Sequence, residues 1–401
     1  MPTPTDPGPF VTPRYGERSL TDLLGSAYAT VAGGGACRDG SAGGAGGGEG
    51  DGAVDPLGLS AVLPGIRRIV VLLADGLGAH LLPLAAPVAP TLAAATALPP
   101  LTCGFPSTTP TGLVSLGVGA PPGRHGVIGF TVRLPGTDRL FTHIRWDADV
   151  DPRRWQPLAS CFDRGRAAGI PGWVVGSPSF ATSGLTDAAY RGADYLSARG
   201  TDQFVAAVTS ALAAADRGVI FVYRPEIDHA GHLSGPGSAP WLAAVAAVDE
   251  VVAGIAAVLP ADAALVVTAD HGMVRVGDAD RIDLDTDPDL LRGTRVIAGE
   301  GRARYVHTEP GAAADVLAAW RELLAGRAEV VSRDEAIAAG WYGPTTPAAA
   351  ERIGDVVAVC RGRSVLVRTR AEPTESSFLG YHGSLTAAEM AVPLLLVRPG
   401  N

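Results

Sequence analysis

Three short runs of nearly unbroken apolar residues set the tightest constraint on how this chain can fold. They are Ile69-Val70-Val71-Leu72-Leu73-Ala74, Val219-Ile220-Phe221-Val222-Tyr223 and Ala264-Leu265-Val266-Val267-Thr268. A run without polar alternation reads as a strand buried on both faces, and a parallel sheet covered by helices is what buries both faces. Residues 172–176 form a fourth such run. Helical periods fall between them. Phe204, Val208 and Leu212 share one face of residues 201–216, and Val245, Val248, Val252 and Ile255 share one stripe of residues 240–259. Strand–helix–strand–helix–strand order implies an α/β fold: a doubly wound, mostly parallel central sheet flanked by helices. Asp75 and Asp270 directly follow two of the runs, and Asp228 lies shortly after a third. The carboxyl ends of such strands are where open α/β sheets bind ligands.

The remaining segments are less constrained. Residues 1–20 are rich in Pro, Thr and Gly and read as loosely ordered, with a short helix over 20–31. Residues 33–52 are mostly Gly, bury no apolar surface and read as a flexible linker, with Cys37 incidental inside it. The reading is therefore an N-terminal segment over 1–57 and one catalytic domain over 58–401. Strands are expected within 133–146 and a helix over 155–168. Between about 285 and 354 the pattern shifts to a small α+β insertion, with a strand at 302–308, a helix at 312–324 and a strand and short helix over 330–339. The chain then returns with strands at 356–360, 364–367 and 392–397.

Composition excludes some partners. The net charge is −9, and all basic side chains apart from histidine are arginine, since the chain has no lysine. That balance speaks against a nucleic-acid-wrapping surface and leaves small anionic substrates open. No apolar run approaches the roughly 20 residues that span a bilayer, so no membrane partner is expected. The N-terminus lacks a charged region followed by an apolar one, so the expected location is cytoplasmic. The four cysteines, Cys37, Cys103, Cys161 and Cys360, form no paired motif and read as reduced. Oligomeric state is not legible.

A cluster of hydroxyls lies in Phe105-Pro106-Ser107-Thr108-Thr109-Pro110-Thr111-Gly112. Taken alone it is a helix cap, at an end where free N–H groups and the dipole favour an anion. It becomes a candidate nucleophile when metals stand nearby. Asp75, Asp228, Asp270 with His271, and His382 are all placed in short polar loops, with His232 four residues past Asp228. Each has a bland reading as a turn former, a cap or a surface residue. Together they supply carboxylate and imidazole donors without thiolates, which suits zinc or a similar divalent ion at a catalytic site. Six such ligands plus a hydroxyl exceed one tetrahedral ion and fit two, the arrangement used for phosphoryl transfer. His80, His143, His229 and His307 have no partner pattern and read as structural or exposed.

These segments, in this order, resemble the alkaline phosphatase superfamily, and within it the nucleotide pyrophosphatase/phosphodiesterase branch. The motifs are Asp75-Gly76, the Thr109 loop with Gly123-Arg124-His125-Gly126, Glu226-Ile227-Asp228-His229-Ala230-Gly231-His232, Asp270-His271-Gly272-Met273 and His382-Gly383. The resemblance implies that Thr109 is the nucleophile. It implies one ion on Asp75, Thr109, Asp270 and His271, and another on Asp228, His232 and His382, zinc being the preferred metal. It also implies hydrolysis of phosphodiester or nucleotide pyrophosphate bonds in a small substrate through a phosphothreonine intermediate. His125 is carried over as a structural motif residue. Two alternatives are a phosphomonoesterase with the same site and an inactive metal- or nucleotide-binding protein. One departure stands out. The family's diesterases place an asparagine where this chain has Phe130, and its sole asparagine is Asn401. The phosphoryl oxygen that amide would hold falls to a backbone N–H, an arginine such as Arg133 or a hydroxyl such as Thr131.

Overall fold

A computed structural model describes residues 7–33 and 54–397. The expected linker and Cys37 lie outside the described residues, apart from Gly33. The strands used below are β1 (Arg68–Ala74), β2 (Thr96–Thr102), β3 (Gly172–Gly176), β4 (Asp194–Ser197), β5 (Gly218–Arg224), β6 (Ala263–Thr268), β7 (Thr294–Glu300), β8 (Ala303–Thr308), β9 (Ala328–Ser332), β10 (Val356–Cys360) and β11 (Ala391–Val397). Seven of them make the central sheet, in the order β2-β11-β6-β1-β5-β3-β4. β1 runs parallel to both β5 and β6, with Val70 opposite Ile220 on one side and Leu265 on the other. Ile69 through Ala74 are fully buried, as an unalternating run requires. β11 pairs antiparallel with β6 and β2. β2 holds Pro99 and Pro100, which a strand tolerates at the sheet edge, where a missing N–H breaks no ladder.

The helices that matter most are α1 (Leu23–Val31), α2 (Thr109–Val118), α3 (Gly200–Ala214), α4 (Glu226–Ser234) and α5 (Ala239–Val258). Ser238 caps α5 by accepting from the Trp241 N–H, and Pro240 fits its first turn. α5 buries Trp241, Val245, Val248, Val251, Val252 and Ile255 and packs against α3 and α4. An 18-residue window within its 20 residues has a mean hydropathy of 1.9, so by length and composition alone it passes as a bilayer span. The sequence reading undercounts it because Asp249 and Glu250 interrupt the apolar letters. Here its apolar stripe lies against the protein core.

Two expectations need correction. Residues 7–20 are not loosely ordered. Phe10 bridges to Thr386, Ser19 bridges to Thr102, and the Val11 N–H donates to the Leu385 carbonyl at 2.7 Å. Leu20, Leu23, Leu24 and Ala27 then enter the main core fully buried. Composition hides such pairing, because the partners lie far along the chain. The second correction concerns residues 356–360. They do not return to the central sheet. β10 is an inner strand of a separate antiparallel sheet ordered β7-β8-β10-β9. A five-residue apolar run says that both faces are buried and not which sheet buries them. Residues 365–367 likewise pair with 281–283, outside the central sheet. The strands expected within 133–146 are Leu140–Thr142 and Thr131–Arg133, the latter beginning before that range, and the helix expected over 155–168 shortens to Cys161–Ala167. The small sheet has its own core around Trp320, Ile297, Val306 and Val356. A fully buried Arg302–Glu389 pair, Nε to Oε1 2.7 Å, ties it to the segment before β11.

Candidate active site

Parallel neighbours end at the same edge, so β1, β5 and β6 deliver their following residues to one place. Asp75 follows β1, and its N–H donates to the Arg224 carbonyl at the end of β5 (2.9 Å). Asp270 and His271 follow β6. Beyond β5 the structure differs from the sequence reading, because Asp228 sits in α4 and not in a loop. Glu226 and Asp228 suit the positive N-terminal end of that helix. The four-residue spacing then puts His232 one turn above Asp228, with Nε2 at 3.2 Å from Oδ2.

Thr109 is the first residue of α2, after Thr108 at the N-cap and before Pro110. Ser107 is buried and already committed. Its Oγ donates to the Ser384 carbonyl at 2.7 Å and accepts from the Gly383 N–H at 3.1 Å, while its carbonyl lies 2.8 Å from His382 Nδ1. Thr109 is only part-buried, and its Oγ1 lies 3.2 Å from His271 Nε2. Gly112 lets α2 approach the ligand loop, since a Cβ there would stand 2.7 Å from Asp270 Cβ. His125 lies beneath α2, bonded to Ser115 Oγ (3.0 Å) and accepting from the Val127 N–H (3.1 Å). Burial pushes it down to about 3, so it is a neutral packing residue. His143 and His307 are buried too, whereas His229 is exposed at the cavity rim.

Three imidazoles, those of His232, His271 and His382, share one arrangement. The Nδ1 atoms of His232, His271 and His382 lie 2.9, 3.0 and 2.8 Å from the carbonyls of Gly380, Gly272 and Ser107. A carbonyl only accepts, so each Nδ1 carries the proton and each Nε2 turns a lone pair inward. His232 and His382 point theirs at each other across 3.1 Å. Nε2 of His271 is 3.5 Å from both Asp75 Oδ1 and Asp270 Oδ2, and that of His382 is 3.6 Å from Asp228 Oδ1. The rings of His271 and His382 stack with centroids 3.7 Å apart.

Charge in this cluster is uncompensated. Among the described residues Asp75 Oδ1, Asp228 Oδ1 and Asp270 Oδ2 are buried without a hydrogen-bond partner. Burial pushes Asp75 and Asp270 above the usual carboxylate range; Asp270 and Asp228 push Asp75 further, while at Asp270 the pull of His271 opposes the push of Asp228. Burial also raises Asp228, but His232, His382 and His271 beside it outweigh that and hold it low. His382 is pushed down by burial and by His271. Facing lone pairs and orphaned buried carboxylate oxygens are what cations neutralise. Ligand atoms of Asp75, Asp270 and His271 lie within 4.8 Å of one another, as do those of Asp228, His271 and His382. His271 thus stands between the two groups, and His232 adjoins the second through Asp228. The donors fit divalent metal ions.

The model of the type I phosphodiesterase / nucleotide pyrophosphatase family matches residues 69–385. The chain belongs to this family. No curated protein matches it closely enough in sequence to count as a relative. Solved structures confirm the fold. Murine ectonucleotide pyrophosphatase / phosphodiesterase 5 shares 19% identity over 82% of this chain and 87% of its own, with a TM-score of 0.65. The human protein of that name shares 18%, with coverages of 82% and 88% and a TM-score of 0.62. Phosphonoacetate hydrolase from Sinorhizobium meliloti 1021 shares 21%, with coverages of 84% and 91% and a TM-score of 0.63.

In this family member a cavity of about 710 Å³ opens over Asp75, Thr109, Asp228, His232 and His382. Phe180, Tyr195, Tyr223 and Phe378 give it an aromatic wall. Two of its residues escape the sequence reading. Tyr223, near the end of β5, donates its hydroxyl to Asp75 Oδ2 at 2.5 Å. Its place at a strand end just before the Asp228 motif is the available signal. Glu300 arrives from β7 of the small sheet, with its side chain 10% exposed and Oε2 3.8 Å from His382 Nδ1. Burial pushes it up to about 8, against the opposing pull of Thr108 and Arg304. No local pattern marks Glu300, because only the tertiary fold brings the small sheet to the catalytic edge.

Proposed function

We propose that this protein hydrolyses phosphate esters, either phosphodiester or nucleotide pyrophosphate bonds, with Thr109 as nucleophile. The observation that carries the reading is the Thr109 hydroxyl, part-exposed to the cavity and 3.2 Å from His271 Nε2, beside three carboxylates with unpartnered oxygens. Asp75, Thr109, Asp270 and His271 would hold one divalent ion, and Asp228, His232 and His382 a second. Zinc is the preferred identity for such a nitrogen and oxygen donor set. Bound there, the ions would lower the pKa of coordinated hydroxyls and neutralise charge on the phosphoryl group.

The chain's own residues supply the rest. Thr109 Oγ1 forms a bond to phosphorus as the bond to the leaving oxygen breaks, which gives phosphothreonine and an alcohol or nucleotide. Water then attacks phosphorus, the bond to Oγ1 breaks and Thr109 is restored. The sum is one ester and one water converted to a phosphate product and an alcohol. The position of Thr109 at the head of α2 places the helix's positive end under the developing charge. The Nδ1–H bonds of His232, His271 and His382 to backbone carbonyls hold the rings in register. A 710 Å³ cavity with an aromatic wall suits a nucleotide-sized substrate. One murine relative was solved, as an inactive variant, in complex with AMP, and the bacterial hydrolase with phosphonoformate and phosphonoacetate.

The test is hydrolysis of bis-p-nitrophenyl phosphate and p-nitrophenyl phosphate by zinc-loaded protein at mildly alkaline pH. Thr109→Ala should lower turnover by about 10³-fold or more while bound zinc per chain stays nearly unchanged. Full activity in that variant removes Thr109 as nucleophile. A strong preference for the monoester removes the diesterase reading, and zinc binding without either activity leaves only a binding protein.

A further inference from the structure

The missing asparagine leaves one phosphoryl oxygen without an assigned donor, and the two side chains named above as substitutes, Thr131 and Arg133, are occupied. The Thr131 hydroxyl donates to the Gly299 carbonyl at 2.6 Å. Arg133 does not line the cavity; its Nε donates to the Thr137 carbonyl at 2.5 Å and faces Asp138 at 3.9 Å. Phe130 lines the cavity but offers only a ring.

Thr108 is different. It lines the cavity beside Thr109, is 1% exposed, and among the described residues its Oγ1 has no hydrogen-bond partner. Position alone should commit this hydroxyl, because an N-cap threonine ordinarily accepts from a first-turn N–H. Here the backbone has the extended conformation of a cap (φ −139°, ψ 150°), yet the side chain makes no capping bond. Glu300 Oε1 on the same cavity wall is also buried and unpartnered, and although Thr108 stands near enough to pull that carboxyl down, no hydrogen bond closes between the two. Two orphaned polar atoms next to the nucleophile mark a place built for a polar ligand, since such atoms are ordinarily satisfied.

We propose that the Thr108 hydroxyl is a substrate-binding donor that holds a non-bridging oxygen of the phosphoryl group presented to Thr109. The inference rests on the reading of Thr109 as nucleophile. It assigns to a hydroxyl on the nucleophile's own loop the contact that an amide at the position of Phe130 would make.

Thr108→Val removes the donor and keeps the shape, and Thr108→Ser keeps the donor. Two readouts apply to zinc-loaded protein: kcat/KM on bis-p-nitrophenyl phosphate, and the affinity for inorganic phosphate by calorimetry. The valine variant should lose about 10- to 100-fold in both, as for a hydrogen bond to a charged group. Zinc content should not change, and serine should recover most of the loss. Unchanged phosphate affinity and kcat/KM in the valine variant overturn the proposal, as does a serine variant as impaired as valine. If valine does not fold, Thr108→Ala takes its place under the same criteria. A wild type that turns over no ester overturns the reading of Thr109, and the phosphate affinities still judge Thr108.

Discussion

Glu300→Gln should make the metal-free protein more stable, and increasingly so as pH rises. The folded protein holds this carboxyl up to about 8, against an ordinary value of 4.5, and the first cause is burial. Unfolded chain releases the proton near 4.5, while folded protein keeps it until about 8. Across that window folding takes up a proton, so stability falls as pH rises. At about 1.4 kcal/mol per unit, the penalty grows from about 1 kcal/mol near pH 5 to about 5 kcal/mol near pH 9. Glutamine has nearly the same shape and no such window. The difference between the two proteins should therefore widen by about 4 kcal/mol over that range. The other ionisable groups are common to both proteins and cancel to first order. The assay is urea unfolding of chelator-treated protein, followed by tryptophan fluorescence, at three pH values. Stability curves that stay parallel, within about 0.5 kcal/mol of a constant offset, would refute the burial argument. Zinc should shrink the difference, because added positive charge near His382 favours the carboxylate.

Two further perturbations test the scaffold. Gly112→Ala places a Cβ 2.7 Å from Asp270 Cβ, so α2 and the ligand loop must separate; zinc affinity measured by competition with a chelator should fall about 10- to 100-fold, and unchanged affinity would show that the loop yields freely. Arg302→Met leaves Glu389 buried without its cation, at a cost of about 3–5 kcal/mol in urea unfolding, and adding Glu389→Gln should restore a large part of it; a double variant no more stable than the single would show that the pair's charge is not what matters.

Legibility followed how local the cause was. β1, β5 and β6 could be read because burial on both faces removes every polar letter from a run. The candidate ligands are legible because strand ends and a helical i, i+4 pair fix spacing within a few residues. Ser107, Thr108 and Thr109 are chemically alike in the sequence. In the structure the Ser107 hydroxyl is stitched to Gly383 and Ser384, and the Thr109 hydroxyl faces His271. That distinction depends on partners more than 160 residues away. The pairing of residues 7–20 and the sheet that takes up β10 escape the sequence for the same reason, since composition reports how a segment is buried and not against what. Glu300 has no local signature at all, and Tyr223 only its place at a strand end before the Asp228 motif.

The two parts of the fold divide the site between them. Ends of the central sheet carry Asp75, Asp270 and His271, so a shift in any one strand would disturb the whole ligand set. The small sheet contributes no ligand, yet Gly299 and Glu300 from β7 line the cavity, and the Gly299 carbonyl takes up the hydroxyl of Thr131. The two parts are held together by Arg302, two residues past Glu300, through Glu389, whose Oε1 also accepts from the Ser384 N–H at 3.0 Å. Ser384 lies two residues beyond His382. One buried ion pair therefore joins the cavity wall to the segment that carries His382. The candidate ligands stand at the strand ends and on α4, and the small sheet supplies part of the wall of the cavity that opens over them.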